Sequence, residues 1–119
     1  MKKKILVVEN DIDILEIISF VLIEEGYEPI LCRTEAGIIN TIDQNMPDMI
    51  ILDVVQPTEL GTELCRNLKA TQATSHIPVL VLSTHPKIKI VKEVCADEVL
   101  TKPFDISLLL EVVKQQLAA

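Results

Sequence analysis

Tryptophan is absent, and Phe20, Tyr27 and Phe104 are the only aromatic residues among 119. So small a set offers no stacking platform for nucleic-acid bases. Positive charge is also scarce: 11 Lys and Arg face 18 Asp and Glu, for a net charge of −7. That balance opposes direct binding to nucleic acid or to an anionic membrane surface. No apolar run approaches the length of a membrane span. Lys2, Lys3 and Lys4 look like the basic start of an export signal, but only four apolar residues follow before Glu9. An export signal needs a longer apolar stretch, so a cytoplasmic protein is expected. Cys32, Cys65 and Cys95 are odd in number and far apart. They have no metal-ligand spacing and make a poor disulfide framework, so free, buried thiols are expected.

What the sequence does have is a set of short apolar runs that each stop at a polar residue. Ile5 to Val8 ends at Glu9 and Asn10, and Met49 to Leu52 ends at Asp53. Val79 to Leu82 ends at Ser83, and the weaker Val99-Leu100-Thr101 ends at Lys102. If these runs are parallel strands of one sheet, the polar residues meet at its carboxyl edge, where open α/β sheets place their sites.

Helical patterns alternate with the runs. Ile14, Ile17, Ile18, Val21 and Leu22 mark one face of a first helix closing at Glu24-Glu25-Gly26. Glu28 to Cys32 reads as a second strand. Thr34 is a candidate cap for a second helix with Ile38, Ile39 and Ile42 facing inward, ending before Pro47. A third helix is expected from about Thr62 to Ala70, after a loop carrying Pro57 and Gly61. Lys87 to Val94 gives a short, weakly patterned fourth. Asp105 caps the last, with Ile106, Leu109, Leu110, Val113 and Leu117 on one stripe. Five strand–helix units in succession predict one α/β three-layer sandwich filling residues 1–119.

The chemistry follows from crowding. Carboxylates brought together at a sheet edge repel one another and lose hydration, so they protonate or recruit a cation. Oxygen donors supplemented by water and phosphate suit Mg²⁺ better than Ca²⁺. Asp11 and Asp13 are explained by helix capping alone. Asp53 is not, because an acid directly after a buried strand has little structural use.

Taken together, these residues resemble the receiver domains of two-component response regulators, and the resemblance runs the length of the chain. It rests on Lys4-Ile5-Leu6-Val7-Val8-Glu9-Asn10-Asp11, and on Asp53 with Pro57 and Gly61 four and eight residues on. Ile77 to Ser83 looks like the strand that delivers a switch hydroxyl, and Leu100-Thr101-Lys102-Pro103-Phe104 resembles the family's Lys-Pro-Phe ending. The resemblance implies a CheY-like, five-stranded parallel sheet of order 2-1-3-4-5, and a cis bond before Pro103. It implies that a sensor histidine kinase or histidine phosphotransfer protein presents a phosphohistidine to Asp53, the phosphoacceptor. Mg²⁺ is then held by Asp53, Asn10 and the Val55 backbone carbonyl, with Glu9 acting through metal-bound water. Lys102 offsets charge on the phosphoryl oxygens, and Ser83 hydrogen-bonds one of them. Such a domain is a switch rather than an enzyme, catalysing only its own phosphorylation and dephosphorylation. Its output goes to a downstream effector protein or to a C-terminal output domain, and homodimerisation is left open.

Several positions depart from the family pattern. Asn10 stands where a second Asp is typical, which predicts weaker metal binding. Val99 replaces the usual Tyr or Phe that rotates with the switch hydroxyl. Thr84 fills a slot usually kept small. Val55 and His85 occupy positions that bear on phosphoryl lifetime. Only nineteen positions separate Ser83 from Lys102, which shortens the region of the fourth helix.

Three functions compete on these residues. A phosphoacceptor switch leads, because Asp53, Ser83 and Lys102 are present. A divergent receiver-fold interaction module, independent of phosphorylation, is the alternative that Asn10, Val99 and the short fourth helix motivate. A nucleotide-binding or flavodoxin-like enzyme needs a Gly-rich phosphate cradle after the first strand, where Glu9-Asn10-Asp11 repels phosphate instead.

Overall fold

A computed structural model describes residues 2–53, 59–84 and 95–118, with backbone alone at 59–62. Its strands are β1 (Lys4–Val8), β2 (Glu28–Cys32), β3 (Met49–Asp53), β4 (Val79–Ser83) and β5 (Glu98–Thr101). Its helices are α1 (Ile12–Glu24), α2 (Ile38–Asn45), α3 (Glu59–Ala70) and α4 (Ile106–Ala118). The five strands form one sheet of order β2-β1-β3-β4-β5, every neighbouring pair parallel. The architecture is therefore the α/β CheY-like fold expected. The Lys87 to Val94 segment lies outside the described residues.

The three central strands are continuous apolar runs because both of their faces are covered. Ile5, Val7, Met49, Ile51, Leu80 and Leu82 pack with α1 and α4 on one face. Leu6, Val8, Ile50, Leu52, Val79 and Val81 pack with α2 and α3 on the other. Register then fixes where each strand ends: Val8 is opposite Leu52, Asp53 opposite Leu82, and Ser83 opposite Thr101. The strand ends thus come out side by side.

Four local expectations need correction. Ile17 is 52% exposed, and Leu15 takes its place with Ile18 and Leu22 in the core. Apolar residues surround α1, so counting alone left its buried face undetermined. Thr34 does not cap α2: its hydroxyl accepts from the Ala36 N–H in the preceding turn. Gly37 is the N-cap instead, in the left-handed region at φ 72°, where glycine carries no Cβ penalty. Ile39 faces outward at 51% exposure, while Ile38 and Ile42 are buried. Helix α3 begins at Glu59 rather than near Thr62. A glycine in a first helical turn costs only about 1 kcal/mol, so Gly61 does not delay the helix.

Helix ends elsewhere follow the chemistry of their caps. The Asp11 carboxylate accepts from the Asp13 and Ile14 N–H groups at 2.9 and 3.3 Å, and Asp105 accepts from Ser107 at 2.7 Å. Val112 joins Leu109 and Val113 as a buried residue of α4. All three cysteines are free thiols; Cys65 is buried, and Cys32 and Cys95 are half-buried.

Candidate functional site

The carboxyl edge of the sheet gathers Glu9, Asp53, Ser83 and Lys102. Glu9 follows β1 and is 2% exposed. Its backbone N–H donates to the Cys32 carbonyl, continuing the β1–β2 ladder one residue beyond the strand. Its Oε1 accepts from the Asp11 N–H at 3.1 Å, and its Oε2 accepts from Lys102 Nζ at 3.0 Å. Asp53, the last residue of β3, has its Oδ1 2.8 Å from the same Nζ. Ser83, the last residue of β4, is buried, and its carbonyl accepts from the Lys102 N–H at 2.8 Å. That bond fixes the backbone from which the ammonium reaches both acids. The Lys102–Pro103 peptide is cis, as the resemblance implied.

One ammonium therefore bridges two carboxylates. Burial acts to lower the Lys102 pKa, but hydrogen bonds to Asp53 and Glu9, and the charge of both, raise it above the ordinary lysine value. The lysine stays charged, and the three groups leave one net negative charge in a largely enclosed setting.

Asn10 lies next to this centre. Val8, Asn10, Arg33, Thr34, Glu35 and Asp53 line a cleft of about 240 Å³. Arg33 Nη2 donates to the Asn10 carbonyl at 3.4 Å, a long bond. No group of three or more His, Cys, Asp and Glu side chains stands ready for a metal among the described residues. Two carboxylates and an amide oxygen are still hard donors, and the cleft leaves room for an ion with its waters. The donor set fits Mg²⁺ as a site completed by water and a phosphoryl group. Val55 and His85 lie outside the described residues.

On the far side of Lys102 runs an apolar groove of about 390 Å³, lined by Ile14, Ile17, Ile18, Pro103, Phe104 and Ile106, with Thr84 at its edge. Val99 packs into the opposite core beside Cys95 and Ala96. Sequence reasoning missed the groove and Arg33. Arg33 had a signal, because it directly follows the end of β2; the groove had none, because Ile17 fits the same apolar stripe as Ile14 and Ile18.

Comparison with known proteins agrees with this fold. The family model described as the response regulator receiver domain matches residues 5–114. The chain belongs to that family, the signalling domains of two-component systems, in which phosphorylation and magnesium are typical. It is 32% identical over 108 residues to the phosphate regulon transcriptional regulatory protein PhoB of Escherichia coli (strain K12), covering 87% of this chain and 47% of that protein. The chain thus spans about half the length of the regulators it matches. A putative response regulator from Chloroflexus aurantiacus superposes with a TM-score of 0.89 at 30% identity, covering both chains fully. The receiver domain of sensor histidine kinase PA1611 from Pseudomonas aeruginosa, which carries a coordinated magnesium ion, superposes with a TM-score of 0.86. At 19% identity that likeness concerns the fold alone, again over both full chains.

Proposed function

We propose that the chain is a phosphoacceptor switch in which Asp53 takes a phosphoryl group from a phosphohistidine. The observation that carries this reading is the ammonium of Lys102 held between Asp53 and Glu9. An Asp53 oxygen attacks phosphorus, the P–N bond to the histidine breaks, and an acyl phosphate forms. Lys102 then turns from the carboxylates to the phosphoryl oxygens. The Ser83 hydroxyl hydrogen-bonds one of those oxygens after a local rearrangement, because the side chain is buried in the present state. Positioning and charge complementarity are what phosphoryl transfer asks of a protein, and all three residues supply them.

Asp53, the Asn10 amide oxygen and the Val55 carbonyl would hold Mg²⁺, with Glu9 behind a water, and the ion would supply positive charge to the phosphoryl oxygens. The neutral Asn10 makes this a weaker metal site than a two-Asp arrangement. The phosphodonor, a sensor histidine kinase or histidine phosphotransfer protein, docks against the apolar groove beside Lys102. That groove adjoins the reacting centre, so a partner lying in it reaches Asp53. The resulting dianion biases the surrounding surface toward a downstream effector protein or an output domain. The cytoplasm is the compartment in which this exchange takes place. No helix among the described residues is long and apolar enough to cross a membrane.

A phosphorylation-independent interaction module finds no support in the relatives. The test is incubation with phosphoramidate, a small phosphorus–nitrogen donor, followed by ³¹P NMR. An acyl-phosphate resonance that hydroxylamine removes and that Asp53→Asn lacks supports the reading. A folded wild-type protein without that resonance contradicts it.

A further inference from the structure

The phosphoryl site as described has one fixed cation, Lys102, which reaches it from β5 at one edge of the sheet. Arg33 stands at the other edge, immediately after β2, with β1 and β3 and their acids between the two cations. We propose that Arg33 is a substrate-binding residue, which receives phosphoryl oxygens of the donor in the cleft it shares with Asp53 and Asn10. The inference rests on the phosphoacceptor reading.

Four observations carry it. Arg33 and Asp53 line the same cleft of about 240 Å³, so an anion held there meets both groups. The contact that orients Arg33 is a single bond of 3.4 Å to the Asn10 carbonyl. A guanidinium has five N–H donors, so most of its hydrogen-bonding capacity points elsewhere. Arg33 also has no ion-pair partner among the described residues, where the ion pairs are Lys69–Asp97, Lys102–Glu9 and Lys102–Asp53.

The charge balance supplies the reason for a second cation. A phosphodonor is an anion entering a protein of net charge −7, toward a centre with two carboxylates and one ammonium. With Asn10 neutral, the side chains of that centre carry one net negative charge, which one guanidinium offsets in addition to the charge that Mg²⁺ would bring. Arginine is also the side chain whose planar fork matches two phosphoryl oxygens at once. Glu35 lines the same cleft without pairing with Arg33, and its negative charge opposes an entering anion.

The experiment follows initial phosphorylation rates against acetyl phosphate concentration at saturating Mg²⁺, read by intact mass, for wild type, Arg33→Ala and Arg33→Lys. Arg33 is exposed, so both variants keep the wild-type urea midpoint. Arg33→Ala is expected to lower the apparent second-order rate constant by about five- to tenfold, a charge-assisted contact discounted for solvent screening. The loss falls on the concentration dependence rather than the maximal rate. Arg33→Lys recovers part of it, as a point charge in place of a fork, and added salt narrows the gap between wild type and Arg33→Ala. Glu35→Gln raises the rate constant. An Arg33→Ala protein with the wild-type concentration dependence overturns the inference and leaves the phosphoacceptor reading standing. A folded wild-type protein that takes no phosphoryl group overturns both.

Discussion

Glu9 and Lys102, 93 positions apart in the chain, meet through Oε2 and Nζ at 3.0 Å. A carboxylate as enclosed as that of Glu9 is costly unless a charge or hydrogen bonds compensate it. Lys102 supplies the charge and the Asp11 N–H supplies a hydrogen bond. The same ammonium holds Asp53, so one side chain offsets both acids and, in the proposed switch, stands where a phosphoryl group needs a cation.

Removing that ammonium leaves two carboxylates facing each other. Lys102→Met is expected to destabilise the fold by about 1–3 kcal/mol in chelator, below the full cost of breaking a deeply buried pair because Asp53 retains some solvent. Excess Mg²⁺ narrows the deficit by restoring a cation between the acids. Urea denaturation with and without Mg²⁺ measures both effects, and a variant as stable as wild type in chelator contradicts the account.

The pH dependence has a definite sign. Folding raises the Lys102 pKa, so the stability it contributes is fully present below the unfolded value, about 10.4. It is lost as pH rises through the higher folded value. The stability difference between wild type and Lys102→Met therefore holds steady from about pH 8 to 9 and shrinks above about pH 10.5. A difference that grows in that upper window contradicts the shift.

A second ion pair holds the sheet edge from below. Asp97 Oδ2 lies 2.5 Å from Lys69 Nζ and accepts from the Val79 N–H at 2.8 Å. Lys69 also donates to the Ile77 carbonyl at 2.7 Å, tying the end of α3 to the start of β4. Asp97→Ala strands the Val79 N–H and is expected to cost about 1–2 kcal/mol, since the carboxylate is partly exposed. Phosphorylation by acetyl phosphate stays within about twofold of wild type, because one ion pair beyond the cleft adds little to its field. An unchanged urea midpoint contradicts the proposed clamp.

The cysteines differ in burial. Burial, followed by the neighbouring Cys95 thiol, pushes the Cys65 pKa far above the usual thiol range. A maleimide at pH 8 is expected to modify Cys32 and Cys95 in the folded protein and Cys65 only after unfolding. Peptide mapping that finds Cys65 labelled as fast as Cys32 contradicts this.

Much of the site was legible because a parallel sheet turns sequence order into spatial order. Apolar runs ending at Glu9, Asp53, Ser83 and Lys102 sufficed to bring those residues to one edge. The same rule applied to β2 leads to Arg33, but that strand, at the sheet edge, is only partly buried and lacks a continuous apolar run. Its end therefore does not stand out in the sequence as the others do. The buried face of α1 was not legible for a different reason. Ile12, Ile17, Phe20 and Ile23 are apolar yet exposed, so the sheet beneath decides which stripe is covered. The start of α2 depended on a left-handed Gly37, a backbone choice that the hydroxyl of Thr34 obscured.

The most direct measurement is intact mass after incubation with acetyl phosphate, with and without Mg²⁺, beside Asp53→Ala. The account predicts one added phosphoryl group on the wild-type protein, dependent on Mg²⁺ and absent from the variant. A folded wild-type protein that gains none, or a variant that gains one equally, contradicts it.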